Sequence, residues 1–151
     1  MLDLAGPAHL SVVFAVYREE RRILGRDLEP LGEDFLRRKV AQLDWLTAGT
    51  ETTWDMVVVD DGCPEGSGKI AAEIVAAEGW GDRVKVLFLA EAIAADEPVT
   101  RPLATPDESR KGGSILLGMG HAARRLRENH VILYTDADLS THLGQSGLLM
   151  D

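Results

Sequence analysis

Two aspartates one residue apart, Asp136-Ala137-Asp138, follow directly on the apolar run His130-Val131-Ile132-Leu133-Tyr134. Carboxylates are hard oxygen ligands suited to magnesium or manganese, and such sites combine one or two of them with phosphate oxygens and water. A metal held there would neutralise a diphosphate and stabilise it as a leaving group. The small Ala137 lets a bulky ligand come close. Aspartates in such a position also turn a chain or cap a helix, a plainer use that the pair alone leaves open.

Three other stretches carry groups of the same kind. Asp60-Asp61-Gly62 ends a second apolar run, and a carboxylate there can accept hydrogen bonds from a base N–H or from ribose hydroxyls, or simply close a turn. Tyr17 and Glu19 end a first run. Lys111-Gly112-Gly113-Ser114 sets a cation beside the main-chain N–H groups of a helix start, a cradle for an anion. It is not a Walker sequence, and no G-x-G-x-x-G follows the first strand, which argues against triphosphate hydrolysis and dinucleotide binding.

His9, His121, His130 and His142 show no zinc spacing; His121 and His130 read as structural, while His142, four residues past Asp138, is within reach of the aspartate loop. The single cysteine, Cys63, excludes an internal disulfide and a multi-cysteine zinc site. With Asp60, Asp61 and Glu65 around it, it reads as an inert turn residue.

Alternating strands and helices must position these groups. Strands are expected at Leu10 to Val16, Trp54 to Val59, Arg83 to Leu89 and the run before Asp136. Residues 19–48 read as mostly helical, split in two by Gly25, Pro30 and Gly32, with Leu36, Val40 and Leu43 inward and Arg37-Arg38-Lys39 on a solvated face. A helix runs from near Ile70 to Gly79, and another from Lys111 with Ile115, Met119, Ala122 and Leu126 on one face and Arg124, Arg125 and Arg127 in its last turns. Between them lies an irregular segment, Ala90 to Ser109, with three prolines. The pattern predicts one α/β domain over residues 1–151, with a mostly parallel sheet, helices on both faces, and ligand groups beyond the carboxyl ends of the strands.

Twenty-five acidic against 16 basic residues give a net charge of −9, which disfavours nucleic acid and anionic membranes as partners. The first residues lack a signal peptide's basic start and apolar core, and no apolar run is long enough for a transmembrane segment. The expected location is the cytoplasm or the membrane periphery.

Taken in order, these pieces resemble the nucleotide-sugar-binding half of family-two glycosyltransferases, which have the GT-A fold, a Rossmann-like sheet. Val13 to Glu20 resembles the opening strand and Pro-x-Tyr-x-Glu loop, and Val58 to Cys63 the Val-Asp-Asp-Gly-Ser segment. Lys111-Gly112-Gly113 resembles the Lys-Gly of the next-to-last helix of this half, and Tyr134 to Thr141 the Asp-x-Asp signature in a form similar to polyprenyl-phosphate sugar transferases of the dolichyl-phosphate glucose or mannose synthase type. The resemblance implies that Ala15, Tyr17, Glu19, Gly62, Lys111, Asp136 and Ala137 line the nucleotide-sugar pocket and that Asp60 or Asp61 holds the base. It implies that Asp136 and Asp138 are the catalytic pair, Asp136 facing ribose or diphosphate and Asp138 ligating magnesium or manganese, with Ser140 at a position that adds a ligand in some relatives. The donor would be a UDP- or GDP-linked sugar and the acceptor a lipid phosphate.

Ala15 stands where the family has proline and Cys63 where it has serine, and the segment before Lys111 is longer than usual. The family's acceptor-binding half follows the Asp-x-Asp loop, so over these residues the fold is expected to be incomplete at its C-terminus. The expected function is donor binding in a metal-dependent, inverting glycosyl transfer. The alternatives are a non-catalytic nucleotide-sugar-binding module or truncated fragment and, with less support because no Gly-rich basic loop follows the first strand, a nucleotidyltransferase.

Overall fold

A computed structural model describes residues 7–125 and 127–149. Four strands, β1 (His9–Val16), β2 (Thr53–Asp60), β3 (Val84–Phe88) and β4 (His130–Tyr134), form one sheet in the order β3-β2-β1-β4, parallel throughout. Four α-helices flank it: α1 (Phe35–Thr47), α2 (Ser67–Ala77), α3 (Leu89–Ala94) and α4 (Gly112–Ala123). The protein is thus α/β with a Rossmann-like parallel sheet, as the alternation of elements predicts.

β1 and β2 are buried on both faces because each face meets a different layer. Leu10, Val12, Phe14 and Val16 pack with Leu36, Val40 and Leu43 of α1 and with Ala71, Ile74 and Val75 of α2. On the opposite face Val13, Val57 and Val59 pack with Leu89, Leu117 and Ala122. Helix α4 comes close enough at Gly118 that a Cβ there would stand 2.4 Å from Val13 Cγ1.

The chain steps outward from β1 through β2 to β3, then crosses back to place β4 on the other side of β1. The carboxyl ends of β1 and β4 therefore flank a switch point, where the two connections diverge and leave a crevice.

Some elements depart from expectation. The first piece of the 19–48 segment is not helical; it folds on itself through turn hydrogen bonds, Ile23 N–H to Glu19, Glu33 N–H to Arg22 and Asp34 N–H to Leu24, reinforced by Arg21–Glu29 and Arg22–Glu33 ion pairs. Leu89 begins α3 rather than ending β3, and the segment to Ser109 holds two short 3-10 turns, Pro98–Thr100 and Pro106–Glu108. Helix α4 ends at Ala123, so Arg124 and Arg125 lie beyond it and reach Glu97 and Asp55; Leu126 lies outside the described residues. Lys39 is the largest departure, since its side chain is fully buried.

Among the described residues no helix is long and apolar enough to cross a membrane.

Candidate functional site

The crevice is a cavity of about 470 Å³. Ala15, Tyr17 and Glu19 come from the end of β1, Asp61 from the end of β2, Asp136, Ala137 and Asp138 from the end of β4, and Pro106, Asp107, Arg110 and Lys111 from the segment leading into α4. Groups scattered over more than a hundred positions meet because all three strands run the same way and end at one rim. Of the residues assigned to the nucleotide-sugar pocket and the aspartate pair, Asp60 and Gly62 do not line it; Ser140, His142 and the Gly112-Gly113-Ser114 helix start do not line it either.

Asp60 and Gly62 have work just outside. Asp60 is buried, and its carboxylate accepts from the main-chain N–H groups of Gly62 (3.0 Å), Cys63 (2.8 Å) and Gly68 (2.7 Å), tying the strand end to the start of α2. Gly62 has φ of +79°, and a Cβ on it would lie 2.5 Å from Pro106 Cβ, so glycine is what lets the 3-10 turn close over it.

Asp61 performs the matching task for α4. Its carboxylate accepts from Ser109 Oγ (2.9 Å), Ser114 Oγ (2.5 Å) and Lys111 N–H (3.0 Å), pinning a stretch in which Arg110 and Lys111 both have positive φ. The two adjacent aspartates thus anchor two different helix starts, and of the two only Asp61 also faces the cavity.

At the β4 end, Asp136 accepts hydrogen bonds from Lys111 Nζ and, at 3.1 Å, from Tyr134 OH. These partners, Lys111 first, hold its carboxyl below the usual carboxylate range, and the same contact raises the Lys111 ammonium. Asp138 Oδ1 accepts from Ser140 Oγ (2.5 Å) and Ser140 N–H (3.1 Å), which lower its carboxyl as well. Both aspartates are therefore ionised near neutral pH. The turn Asp138 makes with Ser140 is the plainer use that its residue type allows, and it coexists with cavity exposure. Among the described residues, Arg22 Nη2, 3.9 Å away, is the one cation within ion-pair distance of Oδ2.

Glu19 behaves differently. Burial pushes its carboxyl up despite Arg22, and its enclosed Oε2 has Arg22 Nη1 3.2 Å away as an ion-pair partner but no well-aligned hydrogen bond among the described residues. That oxygen has capacity left to accept a hydroxyl or N–H.

Five carboxylates, Glu19, Asp61, Asp107, Asp136 and Asp138, line the cavity against two cations, Arg110 and Lys111. A polyanion would be repelled there unless it arrived with a cation. Asp138 Oδ2 would be the oxygen able to hold a divalent ion, with Asp136 beside it engaged by Lys111. No group of three or more His, Cys, Asp or Glu side chains among the described residues is arranged to hold a metal alone. That donor set fits magnesium or manganese held in large part by phosphate oxygens and water, the usual habit of magnesium.

Sequence reasoning missed several residues. Arg22 links Glu19 and Glu33 to the Asp138 side, and nothing in its local pattern signals that. Arg110 lines the cavity with no hydrogen bond or ion pair to the described residues, concealed in an irregular segment. Lys39 did leave a signal: Phe35, Leu36, Lys39, Val40 and Leu43 fall at helical spacing on one stripe, so the lysine sits among the inward positions. Burial lowers its ammonium to about 8, against the pull of Asp138, Asp136 and Glu33.

His142 does not reach the Asp138 side. It lies on a neighbouring groove with Leu133, Gln145 and Leu148 that Asp136 also lines. His9 and His130 stand at the opposite end of the sheet, where Ser11 Oγ donates to Asp55 (2.5 Å) and lies 2.8 Å from His130 Nε2. Cys63 is less inert than its acidic neighbours suggest. Burial raises its thiol, but hydrogen bonds from Ser67 and from the main chain of Ser67, Arg18 and Glu65 outweigh that and leave it below the ordinary value.

The site belongs to the class in which a parallel α/β sheet presents ligand groups at its switch point. No protein-family model matches the chain, and no match is found among curated proteins.

Proposed function

We propose that the cavity binds the nucleotide diphosphate of an activated sugar together with magnesium or manganese, and that the protein supplies the donor side of an inverting glycosyl transfer. The observation that carries this is the convergence of Glu19, Asp61, Asp136 and Asp138 from three strand ends, with Arg110 and Lys111 beside them, around a space that suits a ligand of nucleotide size. The motif order that resembles family-two glycosyltransferases points the same way.

In this reading Tyr17 offers a half-exposed ring for the base, and Glu19 and Asp61 accept hydrogen bonds from base or ribose. Ala15 and Ala137 keep the floor shallow, so the diphosphate can approach the β1 and β4 main chains. Asp138 and Asp136 would hold the metal, which when bound supplies the Lewis-acid stabilisation of the departing nucleoside diphosphate. Lys111 and Arg110 bear on the same phosphates. The acceptor oxygen forms its bond to the anomeric carbon from the face opposite the breaking C–O bond, which inverts that centre. A lipid phosphate suits this geometry, because it is already ionised near neutral pH and needs no general base.

Calorimetry with UDP- and GDP-sugars, with and without manganese, tests the reading. Binding to one of them should require the metal, and Asp138→Asn should abolish that requirement and the tight binding together. No binding to either by the folded protein refutes it, as does unchanged affinity in Asp138→Asn. Metal-dependent binding with no transfer to any lipid phosphate favours the non-catalytic module.

A further inference from the structure

We propose that Lys39 is the positioning residue for the Asp136–Asp138 loop: from under the sheet's rim its ammonium grips the main-chain carbonyl of Asp138 and fixes the carboxylates above it. The functional consequence rests on the donor-site reading given above, while the ordering of the loop does not.

Lys39 lies in the middle of α1 and has no exposed surface. Its Nζ donates to the Asp138 carbonyl oxygen at 2.9 Å, lies 5.4 Å from the centre of the Phe14 ring, and has no carboxylate within ion-pair distance among the described residues. An ammonium has three donors, and enclosing one with a single hydrogen bond is costly. A methionine would fill the same slot between Phe14 and the loop without that penalty. What the cation does there follows from what lies over it, two carboxylates separated by the buried Ala137.

Those carboxylates repel each other, and a positive charge close to both offsets part of that repulsion, although water reaches the two side chains and weakens the effect. The hydrogen bond also sets the direction of the peptide plane after Asp138. Ser140 separately holds Oδ1 through its hydroxyl and N–H. Main chain and side chain of Asp138 are thus each held by a separate donor, and Asp138 lines the cavity. Ser140 appears in the sequence motif; Lys39, about a hundred positions earlier, has no sequence link to it.

The test uses the whole chain carrying Lys39→Met, with Lys39→Gln as the second variant should the first not fold, and the same result is expected of either. The first arm needs no ligand: NMR order parameters of the amides of residues 137–140 should drop while those of β4 stay as they are. The second is calorimetry with the nucleotide sugar: the affinity gained on adding manganese should shrink by about tenfold, the scale of one lost charge-assisted hydrogen bond, with metal-free affinity within about twofold of the parent. Unchanged order parameters overturn the proposal, and so does a parallel loss of metal-free and metal-dependent binding, which would make Lys39 a general support. If the parent shows no metal-dependent binding, the donor-site reading fails, and the first arm still decides whether Lys39 orders the loop.

Discussion

Replacing Asp61 by asparagine tests whether one carboxylate holds the cavity wall in place. The change keeps the shape and removes the charge. Asp61 Oδ1 serves two hydroxyls, Ser109 and Ser114, and Oδ2 serves the Lys111 N–H. An amide has one acceptor oxygen. Turned toward the hydroxyls, it sets its NH2 against the Lys111 N–H, two donors facing each other; turned the other way, it keeps Lys111 and leaves the hydroxyls to find other acceptors, with Ser114 fully buried. Hydrogen bonds to a charged group contribute roughly 1.5–3 kcal/mol each and neutral ones about half that. One bond lost and two weakened, with Asp61 itself partly open to water, gives about 2–3 kcal/mol. For a domain of this size that corresponds to a fall in Tm of roughly 5–10 °C. Urea and thermal unfolding measure the loss, and limited proteolysis should show faster cutting between residues 90 and 111, where the released segment lies. A stability change under about 0.5 kcal/mol, the range of ordinary surface substitutions, would refute the account of Asp61 as an anchor, whatever happens to ligand binding.

Lys111→Gln should separate stability from binding, because the Lys111–Asp136 pair is about half-exposed on both sides and such pairs contribute at most about 1 kcal/mol. Urea unfolding should barely move while metal-dependent donor affinity falls by about tenfold or more; a large stability loss would contradict it. Stability should also decline as pH falls below 6.5, the ordinary value for histidine. Burial depresses both His9 and His121, so the unfolded chain takes up protons first, and stability is full above 6.5 and lost as pH drops toward the folded values. Unfolding free energies at about pH 7.5 and 5.5 check this; a flat profile, or one unaltered in a His9→Gln/His121→Gln variant, counts against it.

The strand runs were legible because a strand buried on both faces must be apolar at nearly every position, as in Val12 to Val16 and Met56 to Val59. The helical reading of the first piece of residues 19–48 failed for a reason of the same kind. Its arginines and glutamates have good helical propensity, but with Ile23 as the fully buried anchor, turns that pair Arg21 with Glu29 and Arg22 with Glu33 win. Lys39 was misread because charge in the sequence suggests water, although its spacing from Phe35, Leu36 and Leu43 points inward.

By itself, the sequence determined the α/β class, the four strand runs and the fact that acidic groups stand at strand ends, since these depend on local composition and period. Only the tertiary structure decided which of two neighbouring aspartates faces the cavity, that Arg110 joins Lys111 there, and that a buried lysine lies under the Asp136–Asp138 loop. Those outcomes depend on strand order and on which donors lie across the gap: Asp61 meets Ser109 and Ser114, 48 and 53 positions away, and Lys39 meets the main-chain carbonyl of Asp138, 99 positions away.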